Sequence, residues 1–164
     1  NEQTLRLAQQ SLQKAWDLGA AAADVAAAMA TIALEVGWQD KVNQWAAMAL
    51  TLDKTPSEAR SSALSMLSEL QFQQGKYKEA YEGFQELTTI RRDARAWFFR
   101  GVAAQNLEDT EEALTCLQKS IEINPRNQAA HVALSAIFKL QGEQKQSDFH
   151  GQRAADLVGS TAGR

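Results

Sequence analysis

Apolar residues recur at helical spacing along most of the chain. The first example is Leu5, Ala8, Leu12 and Trp16, which place one apolar stripe on a helix that ends near Gly19. Leucine, alanine, glutamine and glutamate, all good helix formers, fill the intervals between only two prolines and nine glycines. The pattern therefore predicts an all-α protein. The predicted helices are 2–18, 23–36, 40–53, 58–74, 77–90, 94–107, 110–123, 128–141 and 144–157.

The predicted helices form a periodic series. Four similar stretches begin at Gly37, Gly75, Glu108 and Gly142, at intervals of 38, 33 and 34 residues. A period near 34 residues, with a helix on either side of each start, is typical of stacked helical hairpins. The pattern indicates an α-solenoid, in which each hairpin packs on its neighbours in the sequence.

Residues 94–127 resemble a tetratricopeptide repeat. The motif of that family opens its first helix with an aromatic residue, follows it with a small residue and closes its second helix with a proline. The matching residues are Trp97, Gly101, Ala113, Leu117, Ser120 and Pro125. A second copy has Leu64, Ser68, Tyr77, Ala80 and Phe84 at corresponding places, and a weaker one has His131, Leu134, Ser135, Phe138, Gly142 and Ala154. The resemblance implies a right-handed superhelical stack of about four repeats after an N-terminal helix.

This resemblance implies a single domain over residues 1–164. Its parts are expected to be an N-terminal helix at 1–22, repeats at 23–57, 58–93, 94–127 and 128–157, and a frayed tail at 158–164.

Residues 91–101, "RRDARAWFFRG", combine four arginines with three aromatic residues, a composition found in nucleic-acid-binding surfaces. The formal net charge of -3 and pI near 5.4 supply no general attraction for phosphate. In the helical register, Asp93 caps a helix, Trp97 packs inside its hairpin, and Arg100 keeps its charged end in water. We therefore expect repeat scaffold here and no nucleic-acid binding.

The family resemblance also implies a concave groove lined by the first helix of each hairpin. The predicted peptide-binding residues are Phe98, Val102, Phe72, Glu69, Ser65, Arg95, Gln105, Val132 and Lys139. Tetratricopeptide domains that clamp carboxylate tails have lysine, asparagine and arginine at groove positions that are here Ala27, Thr31, Ser65, Glu69, Phe98 and Val102. The groove favours a hydrophobic or amphipathic segment instead. The alternative, in which Phe72 and Phe98 only pack on neighbouring helices, stays open.

The candidates for chemistry are few. Cys116 is the single cysteine, so an intrachain disulfide is excluded, and we expect a buried thiol. His131 is expected to pack in its hairpin and His150 to lie at the surface, without metal-ligand spacing around either. We expect no catalysis, no metal and no cofactor.

The leading hypothesis is a non-catalytic protein-protein interaction module, such as an adaptor, chaperone or assembly factor. The alternatives are a self-associating structural scaffold, with a possible homo-oligomer, or an accessory domain of a larger protein. No apolar run is long enough for membrane insertion. A soluble, cytoplasmic protein is favoured over a periplasmic one.

Overall fold

The computed structural model describes residues 2–18 and 22–159. Within those ranges the regular elements are nine α-helices and no strand. They are α1 (Glu2–Asp17), α2 (Ala23–Val36), α3 (Gln39–Leu52), α4 (Glu58–Gln73), α5 (Tyr77–Ile90), α6 (Ala94–Asn106), α7 (Thr110–Ile123), α8 (Gln128–Leu140) and α9 (Gln144–Gly159). Each predicted helix lies within two residues of an observed one at both ends. The all-α prediction is confirmed.

The predicted frayed tail at 158–164 falls mostly outside the described residues. Its first two residues, 158 and 159, belong to α9, which continues further than the sequence indicated. Residues 160–164 lie outside the described part of the chain.

Each hairpin turns through one residue in the left-handed backbone region. Gly37, Gly75 and Gly142 have φ angles of 81°, 74° and 78°. Glu108 takes the corresponding place between α6 and α7 with a φ angle of 64°. Glycine adopts this conformation without the steric penalty of a Cβ atom, so three of the four turns follow directly from the sequence.

Polar side chains cap α4, α6 and α8, the first helices of their hairpins. The Ser57 hydroxyl accepts a hydrogen bond from the Arg60 amide at 3.1 Å, and the Asp93 carboxylate accepts one from the Arg95 amide at 2.9 Å. Asn127 caps α8 through the Ala130 amide at 3.2 Å. The predicted cap at Asp93 is confirmed.

The described helices belong to two compact units, Asn1–Arg91 and Arg92–Arg164, called unit 1 and unit 2 below. Unit 1 contains α1 to α5, and its core is rich in alanine, which allows α2 to pack closely on both α3 and α4. Trp16 of α1 meets Trp45 of α3 edge to face, with ring centroids 5.2 Å apart. The opening helix therefore packs on the first hairpin of unit 1.

Arg60 joins three helices of unit 1. Its guanidinium donates to the Leu50 and Asp53 carbonyl oxygens at 3.1 and 2.7 Å, near the end of α3, and it forms an ion pair with Glu86 of α5. These bonds satisfy carbonyl groups that the end of a helix leaves open.

Unit 2 contains the hairpins α6/α7 and α8/α9. Gly101 lies where α6 meets α7, and a Cβ atom there would stand 3.0 Å from Leu117 Cγ. The buried Ser120 hydroxyl donates to the Ala94 carbonyl oxygen at 2.7 Å and accepts from the Asn127 side chain at 2.8 Å. The predicted single domain over both units stays a prediction.

Candidate protein-binding faces

One candidate surface in unit 2, called the α6/α8 face, is formed by predicted binding residues on two helices that contact each other. Steps of three and four residues place the α6 members on one side of that helix. The face consists of Arg95, Phe98, Val102 and Gln105 from α6 and Val132 and Lys139 from α8.

The α6/α8 face combines apolar centres with exposed charges. Phe98 is half-buried and meets Phe99 edge to face, with ring centroids 5.3 Å apart. Val132 is 52% exposed, whereas Val102 and Gln105 are half-buried. Arg95 and Lys139 are exposed. The face therefore offers apolar contact area beside two cations.

The core contacts of α6 explain why its large side chains remain partly accessible. The buried residues of α6 are all small: Ala96, Gly101, Ala103 and Ala104. Trp97, Phe98 and Phe99 are each only half-buried. Because small residues allow α6 to pack closely on its neighbouring helices, its aromatic rings lie toward the edges of the contact between the helices.

Unit 1 has a second candidate surface, called the α2/α4 face, which carries the predicted residues Ser65, Glu69 and Phe72 of α4. All three are half-buried. The Ser65 hydroxyl lies 3.4 Å from a Glu69 carboxylate oxygen, and Phe72 meets Tyr77 edge to face at 5.4 Å between centroids. On α2, Leu34 is 51% exposed, but Ala27 is buried in the core and offers no contact surface.

Residues 91–101 differ from the sequence-based expectation at Arg100. Its side chain is only 13% exposed, forms an ion pair with Glu112 of α7, and lies over the Trp97 ring with the guanidinium carbon 5.0 Å from the centroid. The prediction that Arg100 keeps its charged end in water is wrong, because Glu112 draws the guanidinium against the hairpin. Trp97 is half-buried, so it packs at the edge of the hairpin.

Two histidines form a buried contact between α8 and α9. The Nδ1 atoms of His131 and His150 are 2.9 Å apart, and His131 Nε2 lies 3.1 Å from the Pro125 carbonyl oxygen. Because a carbonyl oxygen only accepts, Nε2 of His131 donates to it. A neutral His131 then accepts at Nδ1, so the donor in the pair is Nδ1 of His150.

The surface location predicted for His150 is wrong, since His150 is 7% exposed and stacks on Phe138 with ring centroids 5.7 Å apart. The packing role predicted for His131 is confirmed. Burial lowers the pKa of His150, and a charge on His131 would lower it further. The sequence held one signal of this position: Ser147, His150 and Ala154 share one side of α9, and all three are buried.

Cys116 is buried, as predicted. Burial raises the pKa of its thiol to about 12, which opposes formation of a reactive thiolate. Within 2–18 and 22–159, no group of three or more His, Cys, Asp or Glu side chains is arranged to hold a metal ion.

Successive antiparallel hairpins, with small residues where the helices meet, define a helical-repeat protein. Residues 94–127 match the tetratricopeptide repeat family, so the repeat predicted there is confirmed. Among curated proteins, no significant sequence match to the chain was found.

Solved structures of tetratricopeptide-repeat proteins share the fold. A crystal structure of MamA matches 95% of this chain and 90% of its own, with a TM-score of 0.83 and 14% identity. A second MamA structure, of MamA AMB-1, matches 94% of this chain and 89% of its own, with a TM-score of 0.78 and 20% identity. YrrB, a TPR protein with an unusual peptide-binding site, matches 91% and 75%, with a TM-score of 0.79 and 17% identity.

These findings support a protein-interaction module with protein partners, because tetratricopeptide repeats are typically non-catalytic interaction modules. Among the helices in the described ranges, none is both long and apolar enough to cross a membrane.

Proposed function

We propose that the chain is a non-catalytic binding module that holds a hydrophobic or amphipathic segment of a partner protein against its α6/α8 face, as an adaptor, chaperone or assembly factor does. The α2/α4 face, through Ser65, Glu69 and Phe72, is proposed as a further contact surface in unit 1. The observation that carries the proposal is that Phe98 and Val132 are both partly exposed on two helices that contact each other.

Binding to this face follows from ordinary interface energetics. Aromatic side chains that fill a partner pocket are common binding hot spots, and a surrounding ring of weaker contacts excludes water from them. In the proposed interaction Phe98 is the central anchor, Val102 and Val132 extend its apolar area, and Gln105 supplies an adaptable polar contact. An amphipathic helix or an extended strand-like segment both present apolar side chains at suitable intervals.

The direct test measures binding of a helical peptide of about five turns, with leucine along one side and glutamine elsewhere, to the full chain. Replacing Phe98 and Val132 by serine is expected to weaken binding about 5- to 150-fold, the range set by loss of about 1 to 3 kcal/mol at a hot spot. Fluorescence anisotropy of the labelled peptide gives the Kd.

The matched control is Phe149→Ser, which removes an equally apolar ring that is 55% exposed on α9. This variant should bind as the wild type does. Circular dichroism must show the same helix content in all variants. Equal binding by the folded Phe98→Ser, Val132→Ser variant would remove the α6/α8 face from the proposal.

A second candidate function, self-association, is favoured by large apolar side chains that are exposed on the α8/α9 hairpin of unit 2. Leu140 is 84% exposed, Phe149 55% and Val158 51%. Sedimentation over a range of concentrations tests this function. If the α8/α9 hairpin is an interface, the measured mass is expected to rise with concentration, and Leu140→Ser is expected to abolish that rise.

A further inference from the structure

The acidic residues of unit 2 are distributed unevenly among its helices. The face helices α6 and α8 contain no aspartate or glutamate, and their charged residues are Arg95, Arg100 and Lys139. The acidic residues of unit 2 lie on α7, α9 and the turns: Asp93, Glu108, Asp109, Glu111, Glu112, Glu122, Glu143, Asp148 and Asp156. Basic residues occur on both sets of helices, since Lys119 lies on α7 and Lys145 and Arg153 lie on α9, so only the acidic residues are confined to α7, α9 and the turns.

Only part of the positive charge reaches the α6/α8 face. Arg100 is largely buried and paired with Glu112 of α7. Arg95 and Lys139 are exposed, three residues before Phe98 and seven residues after Val132. The nearest acid in sequence, Asp93, accepts a hydrogen bond from the Arg95 backbone amide in capping α6. The exposed charges contributed by the two face helices are therefore positive. The Arg95 guanidinium lies over the ring of Phe99, the neighbour of Phe98 in sequence, with its carbon 5.4 Å from the centroid.

Unit 1 has the opposite sign on its corresponding helices. Glu69 belongs to the α2/α4 face, and α2 and α4 also carry Asp24, Glu35 and Glu58. The single basic residue of these helices, Arg60, is bonded to two carbonyl oxygens and to Glu86. A positive face is thus a property of unit 2 and not of every first helix in the chain.

We propose that the α6/α8 face selects a protein segment in which apolar anchors are flanked by carboxylates. The inference rests on the proposed function, because Phe98 and Val132 supply the apolar contact and Arg95 and Lys139 add the selection. Complementary charge around an interface mainly increases specificity and the association rate, and its effect falls with ionic strength. Segments with basic flanks are disfavoured on this face by like-charge repulsion.

The test compares two peptides of the same shape. One is the leucine-faced peptide with glutamine flanks described above, and the other has glutamate in place of the glutamines that border the leucine side. At low salt the glutamate peptide is expected to bind the full chain about tenfold more tightly, from two exposed charge contacts. The difference should shrink as salt is added.

Charge reversal locates the effect. Arg95→Glu with Lys139→Glu should remove the preference, so that the ratio of the two Kd values falls to about one because binding of the glutamate peptide weakens more than binding of the glutamine peptide. The matched control, Arg153→Glu with Lys145→Glu, makes the same change in net charge at exposed positions of α9. This control should keep most of the preference.

The outcomes separate the two proposals. Equal binding of both peptides, or equal loss of preference in the α9 control, overturns the charge selection while the apolar binding site stands. Binding that Phe98→Ser with Val132→Ser does not weaken overturns the proposed function, and the selection with it. Failure of both peptides to bind also overturns both proposals.

Discussion

The close contact of α6 with α7 predicts an unusual response to the substitution Gly101→Ala. In most helix interiors this change is stabilising by about 1 kcal/mol, because alanine has the higher helix propensity. Here the added Cβ atom would stand 3.0 Å from Leu117 Cγ, 3.1 Å from Cys116 Cβ and 3.2 Å from the Ala113 carbonyl oxygen. None of these atoms is the end of a flexible side chain, so the two helices must move apart.

Overpacking of this kind typically costs about 1 to 3 kcal/mol, which exceeds the gain in propensity. We expect Gly101→Ala to lower the free energy of unfolding by about 1 kcal/mol after both effects are counted. Gly151→Ala is the matched control, because its Cβ would meet only the Ser135 hydroxyl, at 3.3 Å. This variant should be as stable as the wild type or more stable, by up to about 1 kcal/mol.

The assay is thermal and urea unfolding followed by far-UV circular dichroism. The two variants should differ by about 2 kcal/mol, equivalent to about 4 to 8 °C in Tm for a chain of this size. A Gly101→Ala protein as stable as Gly151→Ala would refute the proposed tight packing of α6 on α7.

Two further predictions concern pH and nucleic acid. The pKa of His150 is below its usual 6.5 in the folded protein, so the unfolded chain binds more protons and stability should fall as pH decreases through about 6.5. His150→Gln should reduce this loss of stability, measured as the change in Tm between about pH 7.5 and about pH 5.5. If the variant has the same pH dependence as the wild type, the proposed role of the buried pair of His131 and His150 is contradicted. Duplex DNA should bind only weakly at low salt, because the net charge of the chain is -3. An electrophoretic mobility or anisotropy titration measures this binding. A tight complex with a steep salt dependence would reverse the interpretation of residues 91–101.

Local features were predictable where their causes lie within a few residues of sequence. The bounds of α5 and α7 follow from amphipathic spacing and from the turn residues at Gly75 and Asn124 to Pro125. The Asp93 cap depends only on the amide two residues away. The repeat at 94–127 was recognisable because its small residues and its proline recur at fixed offsets.

The candidate binding residues were only partly predictable from the sequence. Sequence spacing placed Phe98 and Val132 on the first helices of successive hairpins, and the structure shows both partly exposed. Whether they bind a partner stays a prediction. The same spacing suggested Ala27 as a groove residue, but it is buried, because the close packing in the core of unit 1 covers it.

The sequence by itself determined the helices, the hairpin turns and the tetratricopeptide character of residues 94–127, because each depends on short-range spacing. Only the tertiary structure decided which polar groups are withdrawn from water. Arg100 is drawn against α7 by Glu112, twelve residues away, and His150 is buried against His131, nineteen residues away. Such burial depends on which faces of two helices meet, and the periodic pattern of either helix alone does not specify the partner opposite each side chain.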